Sequence, residues 1–174
     1  MKLLLEMKSD TITNIKNEQL DILDDIIFIL NKISNEQYTI PCKMLSNNSL
    51  GKHFRHIFDF YNNFINGMSI GEVNYDVRER KDIFEKKRII MIKEINEIKN
   101  AISKISINNT LNIFSNIENN TTIKTKTNIE RELLFLHSHA LHHLAIIIIV
   151  LINEFKMEID YSLTKSTSTL MNTK

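Results

Sequence analysis

All six histidines of the chain fall in two short segments. His53 and His56 stand in GKHFRHIFDFY, and His137, His139, His142 and His143 in LFLHSHALHHLAIIIIV. The second cluster adjoins a nearly pure aliphatic run, which predicts a buried helix. Imidazoles placed in such surroundings need partners, because an unpaired buried polar group costs roughly 1–3 kcal/mol. A shared metal ion would satisfy several of them at once.

Spacing selects among them. On a helix, residues four apart stand one turn apart on one face. His139 and His143 have that spacing, while His142, three after His139, competes for the same role. His137 points elsewhere and reads as a surface residue. On the earlier helix His53 and His56 are three apart. His56, His139 and His143 can therefore make a three-histidine site from two facing helices, with an open position of catalytic type. Imidazole suits zinc, nickel, iron or copper, so ligand type alone does not choose the ion. The plain alternative is a set of packed or surface histidines with ordinary hydrogen bonds. Glu132, about two turns before His139, and Asp59, one turn after His56, are candidates to orient an imidazole or act as general base. The competing reading for each is a solvated or salt-bridged carboxylate. Arg88 and the Arg78/Arg80 pair are candidates to bind an anionic substrate group, against the commoner role in surface ion pairs. Cys42 reads as a small apolar residue.

The elements that must position these groups follow from periodicity. Three glycines and one proline in 174 residues suit long helices. Four segments carry helical period. The first runs through Ile12, Ile15, Ile22, Ile26, Ile29 and Ile33, with Gln19 as the polar exception. The second spans about 48–68, with Asn48 or Ser49 to cap its start and Gly67 or Gly71 to end it. The third spans about 79–105 and the fourth about 128–155. Between the last two, TLNIFSNIENNTTIKTKT is Thr-rich and partly alternating, which suits a small β-hairpin or an extended loop around Asn119-Asn120. The expectation is an all-α four-helix bundle with that hairpin between helices 3 and 4. It forms one domain over residues 1–174, with a flexible Ser/Thr-rich tail from about 160.

Composition narrows the class. Hydrophobic residues are 43%, charged residues 25%, and net charge is +1. Nothing there pulls toward nucleic acid or membrane. The run Ala145–Ile152 is far short of the roughly 20 residues that span a bilayer. The opening MKLLLEMKSD is too short in apolar residues for a signal-peptide core. The single Cys42 excludes an internal disulfide framework. A soluble cytoplasmic protein is expected.

The segment SLGKHFRHIFDFY (Ser49–Tyr61) resembles the second helix of the DinB/YfiT-like superfamily, and HALHH (His139–His143) is similar to that family's HxxHH pattern. NYDVRERKD and YSLTKSTSTL look like parts of a subgroup, and the resemblance covers about residues 10–155. It implies a four-helix bundle, often dimeric, holding a divalent metal, usually zinc or nickel, on three histidines. The ligand places map to His56, His139 and His143, leaving His53 and His142 as alternative ligands or proton carriers. Relatives include thiol-dependent transferases and isomerases that use bacillithiol, mycothiol or glutathione. The chain departs from the family at Leu144-Ala145-Ile146, where many members have Arg-Gly-Gln. The expected function is a metal-dependent thiol S-transferase acting on a small thiol and an electrophile, with Glu132 handling protons and Arg88 binding substrate. The runner-up is a non-catalytic metal-binding or stress-response protein. A bis-histidine haem bundle on His56 and His143 is a third reading, which leaves the extra histidines unexplained.

Overall fold

The computed structural model describes residues 2–118 and 121–160, with side chains from Thr11 onward. The Asn119-Asn120 turn and the tail beyond Asp160 lie outside the described residues. In chain order the elements are α1 (Lys2–Lys32), α2 (Asn35–Thr39), β1 (Pro41–Cys42), a 3-10 turn (Lys43–Leu45), β2 (Asn48–Ser49), α3 (Leu50–Ile70), β3 (Glu72–Asn74), α4 (Asp82–Lys86), α5 (Arg88–Ser103), β4 (Thr110–Ile117), β5 (Thr121–Asn128) and α6 (Ile129–Asn153). The expectation of an all-α four-helix bundle is therefore wrong. Among the described residues there are six α-helices and five strands, and the strands form two sheets. The chain is mixed α/β.

Two physical causes underlie that correction. First, β1, β2 and β3 have only two or three residues each, too few to show a period of two. β3 pairs in parallel with β4, and β4 pairs antiparallel with β5. The Thr-rich alternating segment thus becomes two strands of a three-stranded sheet. Secondly, the third helical segment is split. Lys87 leaves helical geometry (φ −125°, ψ 87°) between α4 and α5. Phe84 of α4 packs edge-on against Phe58 at 4.8 Å. Arg88, at the start of α5, donates instead to Leu30 O near the end of α1 and to Asn35 Oδ1 at the start of α2.

The core lies between α1, α3, α5 and α6. Leu23, Ile26, Ile29 and Leu30 of α1 are fully buried, with Phe54, Ile57 and Phe64 of α3, Met91 and Ile95 of α5, and Leu133, Leu136, Ala140, Leu144 and Ile147 of α6. Gln19, the polar residue on the α1 stripe, is also fully buried. Its Nε2 donates to Leu133 O at 2.9 Å, and its Oε1 accepts from Tyr61 Oη at 2.8 Å. One amide thus ties three helices together with its buried dipoles satisfied. α6 is the one described helix long and apolar enough to cross a membrane by length and composition. Its Leu133, Leu136, Ala140, Leu144, Ile147, Ile148, Val150 and Leu151 face this core.

The helices that carry the histidines have defined starts. Ser49 Oγ accepts from Lys52 N at the head of α3, and Asn128 Oδ1 accepts from Arg131 N at 2.8 Å at the head of α6. α3 stops at Gly71, whose φ of +77° is left-handed. Gly67 lies inside α3 where the chain doubles back. A Cβ there would sit 2.4 Å from Glu72 O.

Candidate metal centre

α3 and α6 pack face to face, and the contact brings His56 against His139 and His143. The Nε2 atoms of His56 and His139 are 3.2 Å apart. The ring centroids are 4.5 Å apart for His56 and His143, and 4.6 Å for His139 and His143. One nitrogen from each ring falls within 4.8 Å of the other two. A tetrahedral zinc with bonds of about 2.0–2.1 Å separates its nitrogen ligands by about 3.3 Å. The His56–His139 pair is at that spacing, the other two pairs lie within 4.8 Å, and all three rings are half-buried. The three histidines can hold a divalent metal on chemistry and distance alike.

The other ring nitrogens show which atoms face the common point. His143 Nδ1 lies 3.4 Å from His53 Nδ1. His56 Nδ1 lies 3.0 Å from Arg78 Nη1. On His56 it is therefore Nε2 that faces the common point, where it meets His139 Nε2, and on His143 the nitrogen opposite the one engaged by His53 is Nε2. His139 is held by stacking: its ring lies 3.9 Å from Phe60 and 5.9 Å from Phe135. Phe60 in turn stacks on Tyr75 at 5.1 Å. Helical spacing could have found this wall, since Phe60 is four residues after His56 and Phe135 four before His139.

Arg78 sets the proton on His56. A guanidinium only donates, so Nδ1 of His56 accepts, and the hydrogen-bond network assigns the neutral ring's proton to Nε2. Metal-binding histidines ordinarily donate their other N–H to a carboxylate or carbonyl. A cation on Nε2 would need the opposite tautomer and would also meet the charge of Arg78. Arg78→Ala is accordingly expected to tighten zinc binding about tenfold, at the low end of effects from groups around a ligand. Competition against a chelating dye measures it. Weaker binding in the variant would show that Arg78 supports the site.

The remaining candidates are placed as follows. His53 sits beside His143. His142 is exposed, its ring 5.2 Å from that of His143, and lies outside the group of three. Glu132 is fully buried. Its carboxylate accepts from Tyr75 Oη at 2.8 Å, Thr127 Oγ1 at 2.6 Å and Arg131 Nη1 at 2.8 Å. Burial, then the Glu132 charge, push the Tyr75 phenol upward, so it keeps its proton and donates. Asp59 accepts from Arg55 Nη1 at 2.9 Å and lines a separate cavity of about 380 Å³ with Arg78 and Arg80. Arg88, at the start of α5, is engaged by Leu30 O and Asn35 Oδ1 and does not line the cavity beside the histidines. Cys42 is buried with its thiol pushed upward by that burial, so it is no nucleophile at neutral pH.

Burial lowers the imidazoles. His56 and His139 fall to about 4, with charge on neighbouring rings and Arg78 adding to desolvation. His143 falls to about 3, from burial first and His56 next. In the unfolded chain these rings titrate near 6.5. Below that value the unfolded state binds more protons than the folded one, so stability rises with pH across the window from about 4 to 6.5. It is complete above 6.5 and is lost as pH falls toward 4. The rings are half-exposed, so the contribution is discounted to ~1 kcal/mol each. Melting curves between pH 7 and 4.5 should show Tm falling, and a flat profile would contradict a neutral, buried cluster.

Comparison of the chain with protein-family models, with curated proteins and with solved structures finds no match.

Proposed function

We propose that the chain is a divalent-metal-dependent enzyme of DinB type, a thiol-dependent S-transferase. The observation that supports this most is the convergence of His56, His139 and His143 on one point. The segments that carry them are those that resemble the family. A cavity of about 260 Å³ adjoins the site, lined by Asn48, Lys52, His53, Arg55, His56 and His143. It gives a small substrate access to the histidines. A zinc or nickel ion held by three neutral imidazoles would supply a lowered pKa for a thiol in its remaining position.

The chain's own residues do the rest. With its Nε2 on the metal, His143 carries its proton on Nδ1 and donates it to His53 Nδ1. His53 therefore keeps its own proton on Nε2 and orients the His143 ring, and the thiol proton leaves to solvent through the open cavity. The resulting thiolate attacks an electrophilic carbon, and a carbon–sulfur bond forms as the leaving group departs with its electron pair. Phe60 and Phe135 fix the plane of the His139 ring. Glu132 holds Tyr75, which stacks on Phe60, and so acts as a positioning residue at one remove. A cytoplasmic setting and a homodimer belong to the same reading. Phe28 on α1 and Leu134 and Ile149 on α6 are among the exposed apolar residues available for self-association.

The test is conjugation of a small thiol to an electrophile by protein loaded with zinc or nickel. Metal-dependent conjugate formation is expected. One observation favours the second reading, a non-catalytic metal-binding protein: the Glu132 carboxylate is occupied by three donors, which takes the one acid that is fully buried among the described residues away from proton transfer. One metal per chain with no conjugate across several thiols would establish that reading instead.

A further inference from the structure

The wall of the cavity beside the histidines is chemically one-sided. Its six lining residues are Asn48, Lys52, His53, Arg55, His56 and His143. Two are cations, three are imidazoles and one is an amide. No carboxylate lines it. This is not a general property of the surface, because the separate cavity on the other side of α3 mixes Arg78, Arg80 and Lys81 with Asp59, Glu79 and Glu94.

Arg55 is the unusual member. It is a cation only 6% exposed, held in place from behind. Asp59 accepts from its Nη1, and Glu85 Oε1 lies 2.7 Å from its Nε but off the N–H axis, giving charge contact without an aligned hydrogen bond. Both carboxylates are absent from the cavity wall. The charge of this arginine is already met by two acids, so what it offers the cavity is a rigid guanidinium with oriented N–H donors, and the uncompensated positive charge beside it is that of Lys52. Lys52 stands at the rim, one turn into α3, and its Nζ donates to the neutral Asn48 Oδ1 at 2.6 Å. Among the described residues that amide is its partner, and an ammonium so paired gains by meeting a carboxylate. Three neutral imidazoles would also leave the charge of a divalent ion unbalanced, so an anionic ligand neutralises the site as it binds.

We propose that this cavity binds a small thiol bearing a carboxylate, with the carboxylate on Lys52 and Arg55 and the sulfur toward His56, His139 and His143. The proposal rests on the metal reading above and adds the charge of the ligand. At about 260 Å³ the cavity is below the size of usual drug-sized pockets, which selects a compact molecule.

The experiment uses zinc-loaded protein and three thiols of similar size: 3-mercaptopropionate (anionic), 2-mercaptoethanol (neutral) and cysteamine (cationic). Calorimetry gives each Kd, and mass spectrometry reads the metal content of the same samples. The anionic thiol is expected to bind about tenfold more tightly than the neutral one, with the cationic one weakest. Lys52 is exposed, so Lys52→Ala folds, and it should keep its zinc while losing most of that preference. Zinc bound with equal affinity for the three thiols overturns the anion assignment alone. A preference undiminished in Lys52→Ala overturns it likewise. Protein that takes up no zinc overturns the metal reading and this one with it.

Discussion

Alanine at His56, His139 or His143 is expected to leave the protein without stoichiometric metal, each substitution on its own. Loss of a group that merely orients a ligand costs 10–100-fold in affinity, so loss of a ligand from a set of three costs more than about 100-fold. His56 is the sharpest case, because it is the only member on α3. Without it the two rings on α6 remain as a pair one turn apart, which any exposed helix can offer. His142→Ala serves as the control. That ring is exposed and lies outside the group of three, so its metal content should equal that of wild type. Mass spectrometry of native, untagged protein offered zinc, nickel and iron gives the answer. About one metal per chain in wild type and in His142→Ala, and none in the other three variants, is the expected pattern. Equal metal in His56→Ala would mean that His56 is not a ligand.

Gly51→Ala is expected to destabilise the fold by about 2–3 kcal/mol, with a fall in Tm of about 5–9 °C. The cause is steric. A Cβ at Gly51 would lie 2.3 Å from Glu85 O and 2.8 Å from Tyr38 Cε1. The first is backbone of α4 and cannot swing away, and the Tyr38 hydroxyl is itself bonded to Phe84 O. α4 must therefore shift as a body, taking Glu85 away from Arg55. Gly71→Ala separates this effect from backbone strain. That residue has φ +77° but open space around its Cβ position, so only the roughly 1–2 kcal/mol of a left-handed alanine is lost. A Gly51→Ala variant as stable as wild type would show that α4 does not press on α3 as described.

Much of what positions the site was legible because helices announce themselves by period. Ile22, Ile26, Ile29 and Ile33 mark the buried stripe of α1, and Ser49 and Gly71 bound α3. Histidines at steps of three and four marked the two helices that face each other. The all-α assignment failed because strands of two or three residues have no period to read. β3 also depends on a partner far along the chain: Val73 pairs with Ile113. The break at Lys87 was hidden as well, since residues on both sides keep helical spacing. Arg78 lies outside any periodic element, so nothing in the sequence connects it with His56. Glu132 reads as an ordinary first-turn acid of α6 until Tyr75, from another segment, is seen to cover it.

The three-stranded sheet bears on the order in which the molecule assembles. His56 and His139 are 83 residues apart in the chain, and closing a loop of that length before any contact rewards it is slow. The β4–β5 hairpin is local and needs no such closure. Once β3 docks on β4, the end of α3 and the start of α6 are held together through the sheet, because β3 follows α3 by one residue and β5 runs directly into α6. The remaining search is short: two helices fold against each other from a joined end, and the histidines, toward the opposite end, meet last. A metal ion would then arrive at a finished pair of helices. It would slow unfolding far more than it would speed folding.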